Sequence, residues 1–238
     1  MVEKKVIAVV SGKGGVGKTT ITANLGIVLA LDYNSVCLVD GDFGLNNLDC
    51  VLGVETSDNC YDFLDIVEGN CRLNQAVNKD DMLETLYLLT SSTINSNKLV
   101  SKDNFSKLIQ KLNKVFDYTI IDAPAGLDFS FERAIMPATK IIVVVTPTIT
   151  SLVDASKTIQ KLKSIGKFDI VVVVNRLVDK YVKSGDMVTV SQIEELLLVP
   201  VIGVVHENIN LCVGKNLKTL FNKDKSLLKE FRIIVGRV

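Results

Sequence analysis

Seven short apolar runs constrain this chain more than any other feature: KVIAVV (5 to 10), SVCLV (35 to 39), LYLL (86 to 89), YTII (118 to 121), KIIVVV (140 to 145), DIVVVV (169 to 174) and VIGVV (201 to 205). They are rich in Val and Ile and lack polar alternation, which suits strands buried on both faces rather than strands with one wet face. Helical stretches lie between them. This alternation predicts an α/β fold, a mostly parallel, doubly wound sheet with right-handed crossovers and helices on both faces. The 238 residues are 47% hydrophobic, with no repeat, low-complexity segment or Pro- or Gly-rich linker, so residues 1 to 238 are expected to form one domain. Ligands bind such sheets where loops leave the C-terminal strand ends. Four runs end in distinctive polar segments: SGKGGVGKTT after the first, DGDFGLNNLD after the second, DAPAG after the fourth and NR after the sixth.

The first of these segments carries the chemistry. Gly12, Gly17, Lys18 and Thr19 fit the phosphate-binding loop G-x-x-x-x-G-K-[ST], whose glycines let backbone N–H groups approach phosphate oxygens. Thr19 and Thr20 open a helix through TTITANLGIVLAL, so phosphate would meet a helix N-terminus, where free N–H groups and the dipole favour anions. Lys18 is expected to reach the terminal phosphates and Thr19 to ligate Mg²⁺. Asp122 ends an apolar run, as a Walker B aspartate does in P-loop NTPases, and is expected to hold Mg²⁺ directly or through water. Asp40 and Asp42 end the second run. One is expected near the Mg²⁺ shell and the other near the attacking water, although either could cap a turn. Pro124 and Gly126 make a stiff turn expected to sense the γ-phosphate. Lys13 has no use in a single loop of this kind.

Composition narrows the classes. Twenty-seven basic and 27 acidic residues leave no general footprint for nucleic acid, so DNA is not an expected partner. Five cysteines without a C-x-x-C argue against a disulfide framework or a zinc site and read as reduced cytoplasmic thiols. The first apolar run is too short to begin spanning a bilayer and reads as a strand rather than a signal peptide. Residues 215 to 238 hold seven basic side chains against two acidic. Within them, residues 226 to 238 place Leu227, Leu228, Phe231, Ile234, Val235 and Val238 on one helical stripe. Such a helix covers one face of the sheet or, alternatively, grips an anionic membrane surface.

The segment KGGVGKTT is similar to the deviant Walker A signature of the ParA/MinD family of ATPases, and within it the resemblance is to the MinD branch, which acts in septum site determination. It extends along most of the chain: DGDFGLNNLDCVLG resembles that branch's switch I, YDFLDIVEGNCRLNQAV its next helix and loop, DYTIIDAPAGLD its switch II, and KSGDMVTVSQIEELLLVPVIGVV the stretch into its last strand. The resemblance implies a slow, partner-stimulated ATP hydrolase that uses ATP and Mg²⁺ and forms a homodimer in the ATP state. Lys13 would then reach across the dimer to the partner's nucleotide and, like an arginine finger, make hydrolysis depend on dimerisation. The resemblance also implies nucleotide contacts from Gly14, Gly15, Val16, Gly17, Lys18, Thr19 and Thr20, an adenine contact from Asn175, Asp42 beside the attacking water and Asp122 near Mg²⁺. Lys13, Lys18 and Asp42 would be catalytic. A MinC-like division inhibitor and a MinE-like activator are the implied partners, with a cytoplasmic location and peripheral attachment to the inner face of the cell membrane as the alternative for the terminal helix.

Two segments depart from that branch. Where its members carry Arg-Asp-x-Asp, a surface used for the MinE activator, this chain has Val153, Asp154, Ala155 and Ser156. Where they carry Pro-Glu-Asp after the last run, it has His206, Glu207 and Asn208, and the single histidine reads as a loop residue beside the nucleotide. By the family count the terminal helix falls at the last core helix, which favours the sheet-covering reading. A flagellar-number regulator resembling FlhG is the first alternative, supported by TSLVDA at 150 to 155 but lacking the expected Thr-Gly-Ala-Gly. A ParA-type partitioning ATPase and a metal-cluster carrier are further alternatives.

Overall fold

The computed structural model describes residues 4–43, 47–54, 61–91, 100–212 and 217–238. Residues 44 to 46 of the segment DGDFGLNNLD, one of the five cysteines, Cys60, and the first of the seven terminal basic residues, Lys215, lie outside them. All seven apolar runs are strands of one eight-stranded sheet: β1 (Lys5–Val10), β2 (Val36–Asp40), β4 (Leu86–Leu89), β5 (Tyr118–Asp122), β6 (Lys140–Val145), β7 (Ile170–Leu177) and β8 (Val201–His206). The eighth, β3 (Asn78–Lys79), is a two-residue edge strand antiparallel to β4, too short to leave a sequence pattern. The order is β3-β4-β2-β5-β1-β6-β7-β8, and every other neighbour pair is parallel. From the central β1 the chain therefore winds outward in both directions, and the crevice at that reversal lies at the C-terminal end of β1.

Continuous apolar runs arise because both faces of the sheet are covered. Alternate residues of each strand feed two separate cores: Val6, Ala8 and Val10 of β1 enter one, Ile7 and Val9 the other. The helix Lys18–Leu31 is buried over ten consecutive positions, from Ile21 to Ala30, because it lies between the sheet and the helix Lys225–Val235. Its sequence accordingly shows no polar face.

The helix Lys225–Val235 starts at Asp224, whose carboxylate accepts a hydrogen bond from the Leu227 N–H at 2.9 Å. Leu227, Phe231 and Ile234 are buried, and Phe231 meets Phe221 edge-on with ring centroids 5.7 Å apart. Gly203 of β8 makes room for it: a Cβ there would sit 2.3 Å from Ile234 Cγ1. The apolar stripe of this helix therefore faces the protein's own sheet.

Candidate functional site

The loop of residues 11 to 17 leaves β1 and enters the helix Lys18–Leu31 through Gly17, which has φ 93°. Only glycine fits: the conformation is left-handed, and a Cβ would lie 2.3 Å from Asn175 Nδ2. Asn175, buried near the end of β7, donates from that nitrogen to the Val16 carbonyl at 2.8 Å. Ser11 Oγ donates to the Lys13 carbonyl at 3.0 Å. Val16 is buried as the loop's anchor, while Lys13, Gly14 and Gly15 are exposed at its rim. Among the described residues no carboxylate lies within ion-pair distance of the Lys13 ammonium. The first-turn N–H groups of a helix have no intrahelical acceptors, so this junction offers Lys18, Thr19 and Thr20 to an anion.

Asp122 stands beneath the loop at the end of β5. Its carboxylate accepts from Lys18 Nζ at 2.8 Å and from Thr19 Oγ1 at 2.6 Å. Thr22 Oγ1 lies 3.2 Å from the same carboxylate and 3.0 Å from the Lys18 carbonyl, one proton shared between two acceptors. Thr22 was not visible as a site residue; its signal is the spacing of three and four from Thr19 and Lys18, which puts it on their helix face. The oxygen donors of Thr19 and Asp122 are the hard ligands Mg²⁺ prefers. Among the described residues no group of three or more His, Cys, Asp or Glu could hold a metal.

Asp40 is the register partner of Asp122 on β2 and is equally buried. Burial, with the neighbouring Asp122 carboxylate adding to it, pushes the Asp40 pKa up to about 7. Backbone N–H groups pull the other way: Asp42 donates to it at 2.9 Å, Asn47 at 3.3 Å and Leu48 at 3.4 Å. Asp40 thus holds the backbone at Asp42, Asn47 and Leu48, and Asp42 is the more accessible carboxyl. Asp42 is half-buried, and desolvation raises its pKa, Lys18 opposing while Asp122 and Asp128 reinforce.

Arg133 carried no sequence signal. It belongs to the helix Phe129–Ile135 after the DAPAG turn, yet its side chain is fully buried. The guanidinium lies 4.1 Å above the centroid of Phe43, the residue after Asp42, and 6.0 Å from that of Phe105. It also donates to the Val100 carbonyl at 3.4 Å. The segment after β2 and the helix after β5 are therefore joined through one buried cation.

Beyond the loop, Gly17, Thr20, Asn175, Arg176, His206 and Glu207 line a narrow cleft between the ends of β7 and β8. It lies beside the phosphate-binding junction, and its volume of about 20 Å³ is room for about one water, so a nucleotide base would rest on its rim rather than inside it. The sequence-derived residues Gly14, Gly15, Val16, Gly17, Lys18, Thr19, Thr20, Asp42, Asp122 and Asn175 thus converge on one rim of the sheet, with Lys13 at its outer edge.

A phosphate-binding loop at the reversal point of a parallel sheet, with a strand-end aspartate holding its lysine and threonine, defines a P-loop nucleotide-binding protein. A family model described as an AAA domain matches residues 4–179. The septum site-determining protein MinD of Thermotoga maritima is 39% identical over 237 residues, covering 98% of this chain and 87% of that protein. The MinD in the MinC:MinD cell division protein complex of Aquifex aeolicus superposes with a TM-score of 0.88 at 34% identity, over 98% of this chain and 94% of that one. MinD of Pyrococcus horikoshii complexed with Mg-ADP superposes at 0.85 with 27% identity, over 98% and 95%. This chain belongs to the MinD family of P-loop ATPases.

Proposed function

We propose that the protein is a switch ATPase of division-site placement, binding Mg·ATP and dimerising face to face when it does so. The observation that supports this best is the contact set of Asp122, which ties the loop lysine and the Mg²⁺-ligating threonine to one buried carboxylate. In this reading Lys18 exchanges Asp122 for the terminal phosphates. The N–H groups of Gly14 to Thr20 cradle the phosphate chain. Thr19 and Asp122 hold Mg²⁺, which supplies charge neutralisation at the phosphates when bound. Asp42 orients the attacking water, and Asn175 faces the base while pinning the loop from below. The Mg-ADP complex of the Pyrococcus relative supports the nucleotide and metal assignments.

Lys13 acts on a partner's nucleotide. Its exposure at the loop rim supports a role outside its own protomer, where a second cation would stabilise charge in the transition state. A MinC-type inhibitor is the effector this reading favours, in keeping with the MinC:MinD complex of Aquifex. Residues 1 to 238 act as one unit in which the terminal helix is a sheet-covering element, a role its buried stripe supports. No helix among the described residues is long and apolar enough to cross a membrane.

The test is ATP turnover per chain across a range of protein concentrations. It should rise with concentration in the presence of Mg²⁺ and vanish with EDTA. A concentration-independent rate would overturn the dimeric mechanism, and no turnover at any concentration would overturn the ATPase assignment to these residues.

A further inference from the structure

The segment that closes the base side of the cleft is tied twice to the terminal helix Lys225–Val235. His206, the last residue of β8, donates its N–H to Glu230 Oε2 at 3.2 Å, and its Nδ1 lies 2.7 Å from Glu230 Oε1. Asn208 Nδ2 donates at 3.0 Å to Asp224 Oδ2, on the carboxylate that caps the same helix through Leu227. One helix is thus held at its N-cap residue and again in its middle, by the same three-residue segment. Both bonds depend on the residue types. A proline at 206 would have neither an N–H nor an imidazole for Glu230, and an aspartate at 208 would set a carboxylate against Asp224.

On its other side the segment faces the cleft. His206, Glu207 and Asn208 line it together with Gly17 and Thr20 of the phosphate-binding junction and with Asn175 and Arg176 of β7. Here β7 and β8 lose regular pairing, with a register shift between Asn175 and Leu177, and Arg176 takes a left-handed conformation at φ 60°. Glu207 is held by its N–H to the Leu177 carbonyl at 3.0 Å, and its carboxylate lies 3.8 Å from Arg176 Nε. Asp179 Oδ1 lies 3.5 Å from His206 Nε2. The imidazole therefore lies between Glu230 of the terminal helix and Asp179 of the helix Asp179–Ser184, with Arg176 and Glu207 beside it.

We infer that His206 and Asn208 are positioning residues that join the base side of the nucleotide cleft to the terminal helix, so that a purine packed against the rim of the cleft tightens the docking of residues 225 to 238. The inference rests on the nucleotide reading above and adds to it a second consequence of binding. A base packed against residues 206 to 208 restricts that segment and, through Glu230 and Asp224, the helix. Phosphates alone engage the loop of residues 11 to 20 and leave the segment as it was.

Hydrogen–deuterium exchange on the full chain separates the two contributions. With Mg·ADP, exchange should slow in residues 11 to 20 and also in residues 225 to 238, the latter by about tenfold, as expected for charge-assisted bonds that open less often. Magnesium pyrophosphate, which has no base, should slow residues 11 to 20 only. In Glu230→Gln, a residue outside the cleft, Mg·ADP should still protect residues 11 to 20 while its effect on the terminal helix shrinks. Protection of residues 11 to 20 by Mg·ADP with no change in residues 225 to 238, or equal protection of the helix by pyrophosphate, overturns the inference and leaves the nucleotide reading intact. No protection of residues 11 to 20 by either ligand overturns that reading and the inference with it.

Discussion

Lys18 Nζ and Asp122 Oδ1 lie 2.8 Å apart, the lysine from the first residue of a helix and the aspartate from the last residue of a strand 104 positions later. The pair is nearly inaccessible, so each charge depends on the other for compensation. A nucleotide can draw Lys18 away only if a cation takes its place at Asp122. Binding should therefore be strongly Mg²⁺-dependent. Asp122→Asn is expected to weaken the Mg²⁺ enhancement of nucleotide affinity by about tenfold or more, measured by titration with and without EDTA. An unchanged enhancement would remove Asp122 from the metal site.

Lys13 should separate binding from turnover. Because its side chain projects from the rim, Lys13→Ala is expected to hold nucleotide affinity within about threefold while lowering turnover by about a thousandfold, the scale seen when a trans-acting cation is removed. Equilibrium binding and steady-state hydrolysis on the same preparation check this. A mutant that hydrolyses ATP at the native rate would sink the trans-acting role.

The terminal helix should behave as part of the core. Phe231 is fully buried against Phe221, and Phe231→Ala is expected to cost about 3–5 kcal/mol of folding stability, measured by denaturant titration. A loss below about 1 kcal/mol would mean that this helix is dispensable to the sheet.

His206 gives the fold a pH dependence of defined sign. Burial disfavours the imidazolium, but hydrogen bonding and charge from Glu230, with Asp179 adding to them, outweigh burial and raise the pKa. A raised folded-state pKa means that the folded protein holds the proton more tightly than the unfolded chain. The stabilisation is therefore complete below the unfolded value of about 6.5 and is lost as pH rises through the folded value. The Tm difference between wild type and His206→Gln should be larger at about pH 6 than at about pH 9, since only the native side chain titrates in that range. Equal differences at both pH values would show that the imidazolium contributes nothing.

Much of this was legible in the sequence because it is local. Uninterrupted apolar runs located seven strands, and Gly17-Lys18-Thr19 marked the loop at the end of β1, since both signals lie within about ten residues. Asp122 was legible because it ends such a run. What was missed is tertiary. Arg133 looks like any charged residue of a short helix until Phe43 and Val100 are brought against it from distant segments. His206 and Glu230 are 24 residues apart, and only the packing of the terminal helix on β8 makes them partners. The apolar stripe at residues 227 to 238 was plain, but a stripe does not say what covers it. Gly203 does, since the missing Cβ is the space that Ile234 fills.

The most direct measurement of the central claim, a nucleotide-driven dimer whose hydrolysis is set by Asp42, is sedimentation of Asp42→Ala with Mg·ATP and with Mg·ADP. Asp42 is half-buried beside Lys18, Asp122 and Asp128, so its loss should spare nucleotide capture and block the step that dissolves the dimer. The account predicts a stable dimer with Mg·ATP, a monomer with Mg·ADP and turnover reduced by about a hundredfold or more. A monomer in both nucleotides, with ATP and ADP affinities reduced alike, would contradict it.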